Sequence, residues 1–286
     1  MNKYEFVVDK SGKLSDALYL FGLKPSQVNK LFKNKDVRVD NIKYNFDTMV
    51  DAGQKVVLFL NEDLEKEAKT FNVVFEDENI VVINKPSGIE VTGSNKSIDK
   101  LMEVRAVHRL DKNTRGLLVL AKNKTAEESL LKAFKDHSIE KRYVCEVLGD
   151  SNYTGKTYEA YLKKDSKLSM VQVTKDYRPN SSKILTQFKT IKKGNKTSVV
   201  ECNLLTGKTH QIRAHLAFLG NPILGDDKYG NKEQNKLLKE NKQKLFCYYL
   251  KFNNLSSPLD YLNQKEFVVY DKWCENILKT FINNQE

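Results

Sequence analysis

The chain has 286 residues, of which 40% are hydrophobic, and its 48 Lys and Arg against 37 Asp and Glu give a formal net charge of +11. This length predicts one large or two ordinary domains, while no apolar run approaches the roughly 18 residues of a membrane span. The basic charge favours a polyanion such as a nucleic acid, or as a minor option an anionic membrane. A lysine content that serves solubility alone is the alternative.

Cysteine and histidine usage narrows the chemistry further. The four cysteines are far apart and form no Cys-x-x-Cys pair, which is typical of reduced thiols in a cytoplasmic protein. His210 and His215 are the two histidines at close spacing, and no cysteine or carboxylate set accompanies them. We therefore expect no metal site.

Residues 1–62 are predicted to form a separate small unit. Apolar residues at helical spacing predict a first helix, and Pro25 opens a second. Residues 37–44 alternate around an Asp-Asn turn, which indicates a β-hairpin, and residues 56–60 predict a further strand. The charged residues 63–70 show no core pattern and predict a linker to a larger domain at 71–286.

The second helix of the N-terminal unit and its flanks are basic. This order of helix, helix and hairpin resembles the ribosomal-protein S-four-like RNA-binding domains. The resemblance makes Lys24, Lys30 and Lys33 candidate contacts to RNA. A merely solvated basic face is the alternative.

The larger domain opens with two predicted strands, at residues 73–75 and 80–83. The second is followed by Asn-Lys-Pro-Ser-Gly at 84–88, whose proline and glycine require a fixed turn. We interpret this block as mainly structural.

The stretch at 107–122 is the most informative part of the sequence. Asp111 stands directly before a turn, and the apolar run 117–120 after the turn predicts a buried strand. A carboxylate beside a rigid strand is a candidate catalytic group. An Arg–Asp pair in a surface turn is the alternative.

Residues 124–137 predict a polar helix with Leu130, Leu131 and Phe134 facing inward, and 142–148 predict a strand that carries Tyr143. Between 163 and 196 there are ten Lys or Arg and two Asp, within which strand-like pieces predict basic hairpins that contact phosphate. Six more lysines at 228–244 lie in a predicted helical insertion, for which solvated surface is the alternative.

A further helix is predicted from Thr209, which could cap it, because Ile212, Leu216 and Leu219 recur at helical spacing. This would fix Arg213 near the start of the helix. An arginine keeps its proton, so it suits a buried carboxylate that must stay ionised.

Four blocks together resemble the RluA-type pseudouridine synthases, which isomerise uridine within structured RNA. They are residues 84–88, 108–111, 141–149, and 206–215 with the continuation 220–226. The resemblance implies an α+β catalytic domain built on a large, mainly antiparallel mixed sheet, beside the small N-terminal α/β RNA-binding domain. Thr92, Arg115 and Phe246 depart from the residues usual in the family, and we expect Arg115 to contact phosphate.

The resemblance also assigns roles to individual residues. Asp111 is the essential aspartate, Tyr143 packs on the target base, and Arg213 pairs with Asp111. Arg109 would enter the RNA stack where the uridine leaves. The pocket walls are Leu110 and Ile212.

Large-subunit ribosomal RNA is the expected substrate and transfer RNA the alternative, with no membrane partner and a monomeric, cytoplasmic enzyme. The isomerisation involves no redox change or energy input, so no cofactor is expected. Two other readings stay open at this point. One is a non-catalytic RNA-binding ribosome-assembly factor, and the other is a hydrolase using Asp111 with His108 or His210.

Overall fold

The computed structural model of the protein describes residues 2–8, 11–21, 23, 25–60, 71–94, 97–165 and 170–284. The predicted linker at 63–70 and the candidate RNA contact Lys24 lie outside the described residues. None of the helices in the described segments combines the length and the apolarity that crossing a bilayer requires.

Residues 2–60 contain an antiparallel four-stranded sheet with the order β1-β6-β3-β4, a short pair β2–β5 and two helices. The elements are β1 (Asn2–Val7), β2 (Gly12–Lys13), α1 (Leu14–Leu20), α2 (Pro25–Asn34), β3 (Val37–Val39), β4 (Ile42–Tyr44), β5 (Met49–Val50) and β6 (Lys55–Leu60).

The local signals in this segment account for its structure. Helix α2 starts at Pro25 and buries Val28, Leu31 and Phe32, as their helical spacing predicts. At the tip of the β3–β4 hairpin, Asp40 and Asn41 have φ angles of +48° and +70°. Two successive left-handed residues are what a tight hairpin turn of the primed type requires.

Residues 72–283 are organised around an eleven-stranded sheet with the order β13-β12-β14-β15-β11-β16-β10-β8-β7, with β17 on β16 and β9 on β10. The strands are β7 (Asn72–Glu76), β8 (Ile80–Lys85), β9 (Arg105–Ala106), β10 (Arg115–Ala121), β11 (Ile139–Leu148), β12 (Thr154–Asp165), β13 (Met170–Thr174), β14 (Ser182–Lys193), β15 (Thr197–Leu204), β16 (Leu245–Phe252) and β17 (Glu266–Val268). The helices are α3 (Ile98–Leu101), α4 (Lys124–Lys135), α5 (Gln211–Phe218), α6 (Lys232–Leu237), a 3-10 turn (Asp260–Leu262) and α7 (Glu275–Asn283).

This architecture confirms the expected fold class, an α+β domain with a large, mainly antiparallel mixed sheet. In the described part of the chain, the parallel pairing in this sheet is that of β10 with β16. Antiparallel pairing links β10 to β8 on its other side. The central position of β10 explains why residues 117–120 are fully buried, as the apolar run predicts.

Two details differ from the sequence predictions. Leu131 is 48% exposed, because α4 buries Ala126, Leu130 and Ala133, and a residue adjacent to Leu130 is turned about 100° away from that face. Helix α5 begins at Gln211, and its N-cap is His210 with no side-chain cap, so Thr209 does not cap it.

Among the longer strands, β1, β12, β15 and β16 were not predicted from the sequence. Strands β15 and β16 are apolar enough to be recognised, whereas β1 and β12 give little signal. Both strands contain several charged or polar residues, and in β12 only Ala160 and Leu162 are buried. A strand with few buried positions lacks the apolar alternation by which strands are recognised.

Gly116 opens β10 in a conformation that a side chain would not tolerate. Its φ is +112°, and a Cβ built there would lie 2.1 Å from the carbonyl oxygen of Cys247. The absence of a side chain therefore allows β10 and β16 to approach closely directly after the Asp111 turn.

We predict that Gly116→Ala destabilises the fold strongly. Gly93 has a similar φ of +106° but open space around it, so Gly93→Ala should cost only the backbone strain, about 1–2 kcal/mol. Gly116→Ala should lose at least about 2 kcal/mol more, because it also overpacks the core. Denaturant unfolding of both variants measures the difference, and equal losses would contradict the close approach.

Candidate active site

Asp111 and Arg213 are in direct contact although they are 102 residues apart. Arg213 Nη1 donates a hydrogen bond of 3.0 Å to Asp111 Oδ2. Asp111 lies in the turn before β10, where its carbonyl accepts from Thr114 N–H at 3.0 Å. The side chain of Arg213 is 4% exposed and that of Asp111 is 13% exposed. The structure thus brings together two residues that the sequence had paired only by resemblance.

Arg213 is held by two further carboxylates that sequence reasoning missed. Asp226, itself buried, accepts from Arg213 Nε at 2.6 Å and from Nη2 at 2.9 Å. Asp227, which is 60% exposed, accepts from Nη2 at 3.0 Å. The bidentate contact fixes the plane of the guanidinium and so directs its remaining nitrogen toward Asp111.

The pKa values of this ion pair follow from burial and hydrogen bonding. Burial alone lowers the pKa of the Arg213 guanidinium, but its hydrogen bonds with Asp226 outweigh this and raise it overall. Burial raises the pKa of the Asp226 carboxyl, but the guanidinium and the N–H groups of Lys228 and Tyr229 lower it overall. Both groups therefore stay charged in the neutral range.

Lys85 stabilises the main chain of the turn that carries Asp111. Its fully buried ammonium donates to the carbonyls of Pro86, Lys112 and Thr114 at 2.9 to 3.0 Å. Burial, opposed in part by the Asp111 carboxylate, lowers the pKa of Lys85 to about 7. Three carbonyl acceptors match the three N–H donors of the charged form. The block at 84–88 thus has the structural role that the sequence suggested.

Tyr143 lies on β11 and is 4% exposed. Burial, together with the neighbouring Cys247 thiol, raises the pKa of Tyr143 well above its ordinary value of 10.0. Its hydroxyl is therefore protonated at neutral pH and can act as a hydrogen-bond donor.

Two adjoining cavities meet at Asp111. The smaller, of about 60 Å³, is lined by residues that include the six candidates Arg109, Leu110, Asp111, Tyr143, Ile212 and Arg213. The larger is a cleft of about 510 Å³ whose lining includes Lys112, Lys164 and Lys228. A small pocket with a carboxylate, opening beside a basic cleft, suits a polyanion that inserts one group.

The predicted cationic contacts to RNA that the structure describes are exposed. Arg109 is exposed at the mouth of the pocket, whereas Lys30 and Lys33 are exposed on α2 of the N-terminal segment. Lys24 is outside the described residues. The structure therefore assembles the predicted pocket residues around Asp111.

His108 is built into the sheet and does not face Asp111 as a base. Its Nε2 accepts the N–H of Val119 on β10 at 3.0 Å, and its ring stacks on Phe134. Burial, with a contribution from Lys141, lowers the pKa of His108 well below its ordinary value. With its acceptor nitrogen occupied, His108 cannot serve the hydrolase mechanism considered from the sequence.

His210 is the other histidine of that mechanism. Its Nε2 is 3.9 Å from Asp111 Oδ2, and its Nδ1 is 2.9 Å from the hydroxyl of Tyr229. A hydrolase would also need a second carboxylate or a nucleophilic Ser or Cys, and the two nearby carboxylates, Asp226 and Asp227, are both engaged by Arg213. Among the described residues no three His, Cys, Asp or Glu side chains are grouped so as to hold a metal ion.

Two of the three residues that depart from the family pattern have structural explanations. Arg115, expected to contact phosphate, is instead ion-paired with Asp271 near the C-terminus, so its charge is neutralised within the chain. Phe246 is its register partner on β16 and is buried. Thr92 is exposed, and nothing in the structure explains it.

One sequence signal could have identified Asp226 and Tyr229 as candidate site residues. They belong to the block at 220–226 and its extension, where a Gly-Asp-Asp sequence follows an apolar stretch. The sequence offered no way to decide that these carboxylates face Arg213, because 13 residues and a reversal of direction separate them.

Comparisons with known proteins identify relatives of this chain. A family model described as RNA pseudouridylate synthase matches residues 79–218. The ribosomal large subunit pseudouridine synthase C of Rickettsia felis is 31% identical over 264 residues, covering 79% of this chain and 86% of that protein. The protein of the same name from Escherichia coli (strain K12) is 31% identical over 247 residues, covering 77% of this chain and 76% of that one.

Solved structures show the same fold. Human RNA pseudouridylate synthase domain containing 1 matches with a TM-score of 0.62 at 22% identity, covering 74% of this chain and 93% of that one. Human RNA pseudouridylate synthase domain containing 4 matches with a TM-score of 0.57 at 22% identity, covering 73% of this chain and 92% of that one.

We predict that Asp226→Asn is far more destabilising than Asp227→Asn, although both carboxylates bind the same guanidinium. Asp226→Asn leaves a buried cation without its main partner and should cost about 3–5 kcal/mol of unfolding free energy. The exposed Asp227 should contribute less than about 1 kcal/mol. Denaturant unfolding at neutral pH measures both losses, and similar values would contradict the arrangement.

The loss of unfolding free energy caused by Asp226→Asn should also depend on pH. Because the folded state lowers the pKa of Asp226 below its ordinary value of 3.8, its stabilising effect is complete above pH 3.8. The effect is lost as the pH falls through the lower, folded value. Wild type and variant should therefore converge in stability under acid conditions, and a constant difference down to pH 2 would be evidence against the linkage.

Proposed function

The chain belongs to the RNA pseudouridylate synthase family, and we propose that it isomerises uridine to pseudouridine in large-subunit ribosomal RNA. The observation that carries the proposal is the contact of Asp111 with Arg213 in a pocket that also contains Tyr143. The substrate class is supported by the relatives from Rickettsia felis and Escherichia coli, both named ribosomal large subunit pseudouridine synthases.

The reaction sets what the site must do. The bond from ribose C1′ to uracil N1 breaks, the base rotates, and C1′ bonds to C5, which releases its proton while N1 gains one. A stacked base cannot rotate in this way, so the nucleotide is flipped out of the helix into the pocket. One glycosidic bond replaces another without an oxidant, so the proposed reaction requires no cofactor.

Asp111 is the group that we assign to the reacting sugar, as a nucleophile or as a base. Arg213 pairs with it and holds one of its oxygens, Oδ2, in place. Since the guanidinium is itself fixed by Asp226, the carboxylate is positioned before substrate arrives. Such positioning contributes to catalysis because no reorganisation is needed during the reaction.

Tyr143, Leu110 and Ile212 are proposed to contact the flipped uracil. All three line the small pocket and are buried. The Tyr143 ring packs against the base, and its protonated hydroxyl assists proton transfer. Leu110 and Ile212 form apolar walls that favour a base over solvent.

Arg109 is proposed to occupy the space in the RNA stack that the uridine leaves. Its side chain is exposed beside the pocket, and a planar guanidinium stacks well on neighbouring bases. The lysines at the larger cleft would contact backbone phosphates, which adds affinity without reading sequence.

The N-terminal unit at residues 1–62 is proposed to bind RNA and to be joined by a linker at 63–70 to the catalytic domain at 71–286. The exposed lysines of α2, Lys30 and Lys33, support this assignment. We assign Lys24 the same role on sequence grounds. We further propose a monomeric enzyme of the cytoplasm, where ribosomal RNA is present and the four free cysteines remain reduced.

We predict that Asp111→Asn abolishes turnover while leaving folding and RNA binding intact. Tritium release from RNA labelled at C5 of uridine measures the reaction directly, because C5 loses its proton. The exposed Asp136→Asn, the same chemical change at the end of α4, is the matched control and should retain full activity. Appreciable tritium release by Asp111→Asn would refute the assignment of the essential aspartate.

The same assay identifies the substrate. Release from ribosomal RNA alone is the expected result, whereas release from transfer RNA alone would replace the proposed substrate with the alternative one. Release from neither RNA, nor from ribosomal precursor particles, would instead support the RNA-binding assembly factor without catalysis.

We predict that neutralising Lys30 and Lys33 together, by Gln, weakens RNA binding and reduces the slope of log K against log salt by about 1–2. The value of kcat at saturating RNA should not change. Lys132 and Lys135, at the same spacing on α4, provide the matched control pair and should bind like wild type. An unchanged salt slope in the α2 variant would contradict the RNA-binding role of this helix.

A further inference from the structure

His210 is placed between Asp111 and Tyr229, and the proposed function gives it no role. Its side chain is 13% exposed, and it lines both the small pocket and the cleft. Its backbone is left-handed, with φ +55° at the N-cap of α5. This conformation directs the imidazole toward the site rather than onto the helix end.

The loop that carries His210 is fixed by buried contacts. Gln211, which is 2% exposed, accepts the N–H of Lys208 at 3.0 Å and donates to Thr186 at 3.0 Å. The carbonyl of His210 accepts the N–H of Ala214 at 2.9 Å. A residue held in this uncommon conformation by its surroundings has a defined side-chain direction.

The neighbours of the imidazole decide which nitrogen carries the proton. The Tyr229 hydroxyl accepts the N–H of Val171 at 2.8 Å, which leaves its own proton to donate to His210 Nδ1 at 2.9 Å. A neutral imidazole has one donor and one acceptor nitrogen, so Nε2 then carries the proton. Nε2 is the nitrogen that faces Asp111 Oδ2, at 3.9 Å, and the opposite tautomer would direct a lone pair at the carboxylate.

We propose that His210 is a positioning residue for Asp111. When RNA is bound, its Nε2–H donates to Oδ2, the oxygen that Arg213 also holds, and Oδ1 is left free to act on the sugar. The inference rests on the proposed function. The separation of 3.9 Å without substrate is compatible with it, because catalytic hydrogen bonds commonly shorten when the complex forms.

The tyrosine also joins this arrangement to the part of the sheet that we expect to contact RNA. Val171 lies on β13, which pairs with β12 next to Lys164, a residue of the basic cleft. Hydrogen bonds therefore link the edge of the cleft to Tyr229 and His210, and His210 lies 3.9 Å from Asp111. Loss of the tyrosine hydroxyl should affect Asp111 in the same way as loss of the histidine donor.

The first test compares His210→Asn with His210→Gln. An Asn amide reaches about as far as Nδ1 and suits a left-handed backbone, whereas a Gln amide reaches about as far as Nε2. His210→Asn should lower kcat about 10- to 100-fold, the scale of a misplaced catalytic group, with KM for RNA changed less than about twofold. His210→Gln should recover most of kcat. Wild-type kcat in His210→Asn, or equal loss in both variants, would overturn the inference.

The second test is Tyr229→Phe, which removes the hydroxyl but keeps the ring stacked on Arg213. It should lower kcat with little change in KM. Tyr153→Phe is the matched control, because its hydroxyl bonds Asn221 at 2.8 Å away from the site, and it should keep wild-type kcat. Equal kcat values for the two variants would be evidence against the role of Tyr229.

A spectroscopic test separates this inference from the proposed function. The ¹⁵N resonances of the imidazole report the tautomer, and the signal of His210 is assigned by its absence in His210→Asn. We expect the Nε2–H form in wild type and a mixture of tautomers in Tyr229→Phe, and an Nδ1–H form in wild type would overturn the inference. A wild type that releases no tritium from any RNA would refute the proposed function, while the ¹⁵N result would still decide the tautomer.

Discussion

The buried charge of Arg213 is the constraint on which the site depends. A guanidinium that is 4% exposed needs anionic partners, because an unpaired buried charge costs several kcal/mol. Asp226, in a turn beyond α5, accepts two hydrogen bonds from the guanidinium. Asp111, in the turn before β10, accepts one. The Arg213 guanidinium thereby fixes two loops that are distant in the sequence. The same ion pairing orients Asp111, the carboxylate proposed to act on RNA.

The turn that carries Asp111 is itself irregular, so its rigidity must come from its neighbours. On one side, Lys85 binds three carbonyls around the turn. On the other, His108 accepts an N–H of β10, at a point between the pairing of that strand with β9 and with β16. Lys85 is buried and His108 is partly buried, and both satisfy main-chain groups that would otherwise be unpaired. The central sheet thus supports the site through specific polar contacts as well as apolar packing.

The basic character of the chain has several different uses. Arg213 and Lys85 are buried and hold polar groups in place, and Arg115 is neutralised by Asp271. The lysines at the larger cleft and on α2 face outward, where a polyanion can reach them. Ion pairs such as Arg115–Asp271 cancel in the net charge, so the excess of +11 is carried by other cations, among them these exposed lysines.

The sequence by itself determined the fold class, the central strand, the helix and hairpin signals of the N-terminal segment, and the candidate residues Asp111, Tyr143 and Arg213. The strand, helix and hairpin signals follow from local periodicity and turn chemistry, whereas the fold class and the roles of the three candidate residues follow from the resemblance of four sequence blocks to a known family. Only the tertiary structure decided that Asp226 shares Arg213, that Arg115 pairs with Asp271, and that α5 begins after a left-handed His210. Such contacts join residues from separate loops, and their partners depend on how the chain reverses direction, which no local pattern encodes.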